Sequence, residues 1–167
     1  MAKVAVLGGG SWGIALAVLL HKNGNEITVW SALDKEIEML SSEHEHKMLP
    51  GVKLADDMIF TTDEAEAVKD KDMLVMAVAS SYTRATAKRF KDYVKPDQII
   101  VNVAKGIEED TVMTLTEIIE QEIPQCQVAV LSGPSHAEEV SRGVPTTIVV
   151  GSKKKSIAEY IRSLFMN

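Results

Sequence analysis

The stretch Val4-Ala5-Val6-Leu7-Gly8-Gly9-Gly10-Ser11-Trp12-Gly13 decides how the rest of the chain is read. Val4 to Leu7 is an unbroken apolar run, as a strand covered on both faces requires. The glycines then turn the chain, and from Trp12 onward apolar residues recur at helical density. Gly8, Gly10 and Gly13 keep the G-x-G-x-x-G spacing of a dinucleotide-binding turn. The first glycine permits the sharp turn, the second lets a pyrophosphate approach the backbone, and the third lets helix and strand pack closely. Unpaired N–H groups at the positive end of the helix dipole complete an anion site. Glycine-rich turns also arise from packing alone. Here the strand before and the apolar helix after give the spacing its meaning.

Working outward, residues 12–22 form an almost wholly apolar helix, with Ile14, Leu16, Ala17, Val18, Leu19 and Leu20, which Asn23-Gly24-Asn25 stops. Ile27-Thr28-Val29-Trp30 is a second strand, so the first thirty residues make one right-handed βαβ unit. A short helix is expected over 34–40, a turn at Leu49-Pro50-Gly51, a brief strand over 58–60 and a helix N-capped by Thr62 running through Val68. Strands over 72–78, 98–103, 127–131 and 146–150 alternate with helices over 82–93, 111–121 and 157–165. Such alternation predicts an α/β fold, a doubly wound, mostly parallel sheet of the Rossmann type.

The 167 residues suffice for one domain with a real core, read here as a single dinucleotide-binding domain over 1–167. Apolar residues make up 46% and charged residues 25%, the balance of a globular chain. A net charge of −6 argues against a nucleic-acid binder, which carries a basic face. Cys126 is the only cysteine, so no internal disulfide or thiolate cluster can form, which fits the cytoplasm. Neither a signal peptide nor a membrane span is expected.

In an open parallel sheet, ligands bind at the carboxyl ends of the strands. That edge should carry Lys105, next to Gly106, where an ammonium could hold a phosphate, a carboxylate or a carbonyl oxygen acquiring charge. The plain alternative is a solvated lysine at a loop tip. Ser132-Gly133-Pro134-Ser135 reaches the same edge, with Ser135 expected to cap a helix and Glu138 to complete a capping box. A hydrolase pair of Ser135 and His136 is disfavoured, since no nucleophile elbow is present. Glu43-His44-Glu45-His46 reads as a solvated loop and no metal site is expected. The carboxylate that marks NAD sites belongs about 20 residues after the turn. Ser31, Ala32 and Leu33 occupy that place and Asp34 comes late, so NAD and NADP both stay open.

Three segments in order, 8–17, Lys105-Gly106-Ile107-Glu108 and 131–140, together resemble the bacterial NAD(P)-dependent glycerol-3-phosphate dehydrogenases. The resemblance runs from Met1 to the end of the chain and extends to Leu49-Pro50-Gly51 and residues 142–146. It implies reversible hydride transfer between NAD or NADP and dihydroxyacetone phosphate, giving sn-glycerol 3-phosphate for phospholipid synthesis. It further implies that Gly8, Gly10, Ser11, Trp12, Gly13, Ala32, Lys105 and Ala137 meet the cofactor. Lys105, Gly133 and Ser135 would face the substrate, with Lys105 as a catalytic, charge-orienting group. The family often has a basic residue near Ala32 or Leu33, whose loss here weakens a case for NADP, and an aromatic where His136 stands, which reads as a packing swap. Members are about twice this long. A helical second domain, which supplies the acid/base lysine, lies beyond Asn167, and the whole enzyme is expected to be a cytoplasmic homodimer. Two other readings stay open: a dinucleotide sensor without chemistry, and the nucleotide half of another two-domain ketone or hydroxy-acid reductase.

Overall fold

A computed structural model describes residues 1–166. Seven strands form one sheet in the order β3-β2-β1-β4-β5-β6-β7. They are β1 (Lys3–Leu7), β2 (Glu26–Trp30), β3 (Ile59–Thr61), β4 (Met73–Met76), β5 (Ile99–Asn102), β6 (Gln127–Ser132) and β7 (Val149–Ser152). The first six are parallel, and β7 closes the edge antiparallel to β6. The helices are α1 (Ser11–Lys22), α2 (Asp34–Glu43), α3 (Glu64–Val68), α4 (Thr83–Phe90), α5 (Leu115–Glu122), α6 (Ala137–Ser141) and α7 (Lys155–Phe165).

Strand pleating sorts the core into two layers. Val4 and Val6 of β1, Met73 and Val75 of β4 and Ala129 and Leu131 of β6 pack with residues of α1, α2, α6 and α7. Ala5, Leu7, Leu74, Met76 and Ile100 face the opposite way, against Ala67, Ala87, Phe90 and Ile119 of α3, α4 and α5. Both faces of the central strands are therefore buried, which is why β1 and β4 read as unbroken apolar runs. Trp30, at the end of β2, meets Phe90 edge-on at 4.8 Å, a contact worth about 0.5–1.5 kcal/mol beyond its burial.

The structure moves several expected boundaries. α2 runs on to Glu43 and ends where His44 turns left-handed (φ 48°), and His46 is buried with Nδ1 accepting from Met48 N–H, not solvated. Asp63, not Thr62, caps α3, accepting from Glu66 N–H at 2.7 Å. A 3₁₀ turn at Ser80–Tyr82 precedes α4, which stops at Phe90. α5 begins at Leu115 behind a capping box of Thr114 and Glu117, and the preceding loop is closed by a bridge between Ile107 and Thr114. The last strand lies at 149–152 rather than 146–150. β6 ends at Ser132, opposite Val149, so residues 146–148 lie past the last partner available for pairing.

Candidate functional site

The chain crosses from one side of β1 to the other between β3 and β4, so the carboxyl ends of β1 and β4 are the point where strand order reverses. The glycine turn sits there. Gly8 has φ +128°, and a Cβ on it would lie 2.8 Å from the Ala77 carbonyl carbon. A Cβ on Gly13 would lie 2.1 Å from the Gly8 oxygen, so α1 can approach the turn only without one. Gly10 differs: a Cβ there would meet nothing within 4 Å. It is the N-cap of α1 and supplies no side-chain cap, leaving the first-turn N–H groups without helical partners. A phosphate group fits this bare, positive helix end.

Two clefts meet at Gly10. One, of about 570 Å³, is lined by Gly10, Ser11, Trp12, Lys105, Ser135 and Ala137, together with residues 77–80, 103–104, His136 and Glu138. The other, of about 420 Å³, runs past Gly8, Gly9, Ala32, Leu33 and Glu36 to Tyr82 and Arg89. Together they form a trough that bends over the glycine turn, the shape an extended dinucleotide needs. Trp12 joins the two loops of the first cleft: its Nε1–H donates to the Val103 carbonyl at 2.9 Å, just before Lys105.

The Lys105 loop is fixed from both ends. Buried Asn102 donates from Nδ2 to the Ala104 carbonyl at 2.9 Å. Beyond Lys105, Glu108 takes two hydrogen bonds from Arg84 (2.7 and 2.6 Å), whose guanidinium also reaches Glu122 and Gln121 of α5. That clamp and a hydrogen bond from Thr111 hold the Glu108 carboxyl down to about 2, and push the Arg84 guanidinium above its ordinary value. Lys105 itself is exposed and makes no ion pair among the described residues, so its ammonium is left for the cleft.

Of the residues singled out in the sequence, Gly10, Ser11, Trp12, Lys105, Ser135 and Ala137 line the first cleft, and Gly8 and Ala32 the second. Gly13 and Gly133 line neither. Gly133 serves a close approach, since a Cβ on it would lie 2.3 Å from the Thr147 oxygen. Ser135 does not cap α6. His136 holds the N-cap position without a side-chain bond, because the extended backbone continues one residue further. Ser135 Oγ makes a long contact (3.4 Å) to its own neighbour, the Gly133 carbonyl, and His136 is exposed at the cleft rather than packed in the core. The sequence reading missed Glu36, Arg89 and the Arg84–Glu108 clamp. The partners of that clamp are 24 positions apart, and no local pattern announces them. Among the described residues no cluster of three His, Cys, Asp or Glu is placed to hold a metal ion, and no helix is long and apolar enough to cross a membrane.

Sheet order, switch-point glycine turn and bent trough define a Rossmann-like, doubly wound α/β domain. Residues 3–158 match the family described as NAD-dependent glycerol-3-phosphate dehydrogenase N-terminus, and the chain belongs to that family. It is 52% identical over its whole length to a glycerol-3-phosphate dehydrogenase [NAD(P)+] of Agathobacter rectalis and to one of Fusobacterium nucleatum. It covers 50% and 51% of these two proteins, so the chain spans about half the length of the relatives it matches. The fold also matches a glycerol-3-phosphate dehydrogenase structure from Coxiella burnetii (TM-score 0.93, 24% identity, 99% of this chain and 51% of that one). A second, from Plasmodium falciparum, gives a TM-score of 0.89 at 21% identity, over 99% of this chain and 50% of that one.

Proposed function

We propose that this chain is the nucleotide-binding half of a glycerol-3-phosphate dehydrogenase. The whole enzyme would interconvert dihydroxyacetone phosphate and sn-glycerol 3-phosphate with NAD or NADP, in the cytoplasm, for phospholipid synthesis. The observation that carries this reading is the convergence of the open Gly10 backbone and the unpaired Lys105 on one cleft.

Within that reading the residues divide the work. The bare N-terminus of α1, at Gly10 and Ser11, would hold the pyrophosphate through backbone N–H groups. Trp12 and Ala137 wall the cleft that would take the nicotinamide. The bound nicotinamide supplies or accepts the hydride. Lys105 points its charge at the carbonyl oxygen of the substrate, where negative charge grows as the carbon is reduced. Trp12 and the Arg84–Glu108 clamp fix the loop, so that charge is preorganised and needs no rearrangement at the moment of reaction. Ser135 presents a hydroxyl to the same space. The proton that completes the alcohol comes from the other half of the enzyme, which also holds the substrate phosphate.

The test is titration of the 167-residue chain with NADH and NADPH, followed by an assay of NADH oxidation with dihydroxyacetone phosphate. Binding with negligible turnover is expected. Failure to bind either dinucleotide sinks the cofactor reading, and ready turnover by this chain alone sinks the division of labour between halves.

A further inference from the structure

The trough carries one feature that the end of β2 does not disclose. The places where a ribose-reading carboxylate is usual, Ala32 to Asp34, are exposed, and Asp34 does not line the cleft. Two residues beyond Asp34, in the first turn of α2, Glu36 folds back over the glycine turn. Its Oε2 lies 2.7 Å from where a Cβ on Gly9 would stand, so the carboxylate rests directly on the Gly9 backbone. Ser31, only 4% exposed, holds it there: Ser31 Oγ donates to Glu36 Oε2 at 2.5 Å and accepts from Leu33 N–H at 3.1 Å. The start of α2 adds the positive end of a helix dipole, which favours an anionic side chain.

We propose that Glu36 reads the 2′ position of the adenine ribose and sets this chain for NAD against NADP. The inference rests on the dinucleotide reading of the trough. It follows from what the carboxylate can and cannot accept. Among the described residues Glu36 is the one acidic side chain lining the second cleft. Its Oε2 is occupied by Ser31, while Oε1 accepts no hydrogen bond from the described residues and is open to a hydroxyl. A ribose diol offers that hydroxyl. A 2′-phosphate offers only acceptor oxygens and like charge, and Ser31, whose single proton is committed to Glu36, has no donor left for it. Among the described residues the one cation lining this cleft, Arg89, lies over the Trp30 ring at 5.0 Å and is paired with Glu64.

Fluorescence titration of the 167-residue chain and two variants decides the matter, with circular dichroism to establish that each is folded. The wild type should bind NADH at least about tenfold more tightly than NADPH, the scale of one like-charge contact at a partly solvated site. Glu36→Gln keeps the shape and removes the charge, and should bring the two affinities to within about threefold. Glu36→Lys should reverse the preference. A wild-type preference for NADPH overturns the proposal, as does an unchanged ratio in Glu36→Gln with both dinucleotides still bound. A folded wild type that binds neither overturns it together with the dinucleotide reading.

Discussion

Gly10 and Gly13 lie three residues apart in one motif, yet the structure gives alanine at each position an opposite outcome. At Gly13 the new methyl carbon would stand 2.1 Å from the Gly8 oxygen, more than 1 Å inside ordinary contact, and Ala77 blocks the retreat of Gly8 from the other side. Helix propensity favours the substitution by about 1 kcal/mol. Forcing a methyl into a packed site costs about 1–3 kcal/mol or more, and this contact, against the Gly8 backbone, belongs at the upper end. A net loss of about 2 kcal/mol is expected, a fall in Tm of about 4–8 °C for a chain this size. At Gly10 nothing lies within 4 Å, and its φ of −68° and ψ of 171° suit alanine. The poorer N-cap costs about 0.5–1 kcal/mol, and the stiffer unfolded chain returns about as much. Gly10→Ala should therefore unfold within about 2 °C of wild type while losing NADH affinity by about tenfold or more, because its methyl projects into the cleft where the pyrophosphate must touch backbone. Thermal denaturation and NADH titration of both variants settle the point. If Gly10→Ala binds NADH as wild type does, the phosphates do not cross Gly10. If Gly13→Ala is as stable as wild type, the contact argument for the third glycine is wrong.

Three further outcomes are expected. Glu108 titrates near 2 when folded and near 4.5 when unfolded, so its clamp stabilises the fold fully above about pH 4.5 and loses that contribution as pH falls towards 2. The Tm deficit of Glu108→Gln should accordingly be largest near neutral pH and shrink as pH falls below about 4.5; a deficit independent of pH would remove the Arg84–Glu108 pair from the account. Burial pushes the Cys126 thiol up to about 11, so a thiol reagent at pH 8 should label it only after denaturant is added, as mass spectrometry would record. Lys105→Ala should leave the Tm of this chain unchanged, since the side chain makes no ion pair among the described residues, while lowering turnover of a whole enzyme far more than its NADH affinity. Equal, small effects on both would favour a sensor of dinucleotides.

Much of this architecture is written locally. Val4 to Leu7 and Met73 to Met76 are apolar at every position because helices cover both their faces, and that burial leaves its mark on composition. The turn glycines are equally legible, since φ +128° at Gly8 and the contact at Gly13 penalise any side chain. Legibility fails where a partner decides. Thr146 to Ile148 have strand composition, but β6 ends at Ser132 and leaves them unpaired. Ser135 and Glu138 have the spacing of a capping box, but the chain stays extended through His136 and the helix starts too late to use it. Asp34 is a carboxylate near the expected position, yet Glu36 is the one that reaches the cleft, because a helical turn after β2 brings residue 36 back over Gly9.

The same logic explains why the two halves of the site, nearly a hundred residues apart in sequence, can act as one. The phosphate turn and the Lys105 loop follow different strands, separated by β4, and strand pairing alone would fix only their roots. Trp12 closes that gap. It belongs to the first turn of α1, immediately after the open glycine, and its indole N–H reaches across to the Val103 carbonyl two residues before Lys105. An indole is long enough to span the cleft floor, offers a rigid apolar wall on the way, and has a single donor with no acceptor to compete for it. A smaller residue would leave the Val103 carbonyl and the loop behind it to solvent, and the position of Lys105 would depend on the Asn102–Ala104 hydrogen bond and the Arg84–Glu108 clamp. Placing charge to within a fraction of an ångström is what makes an electrostatic contribution to a reaction large. By this argument Trp12 is part of what positions Lys105, a role that its place in the first turn of α1 does not announce.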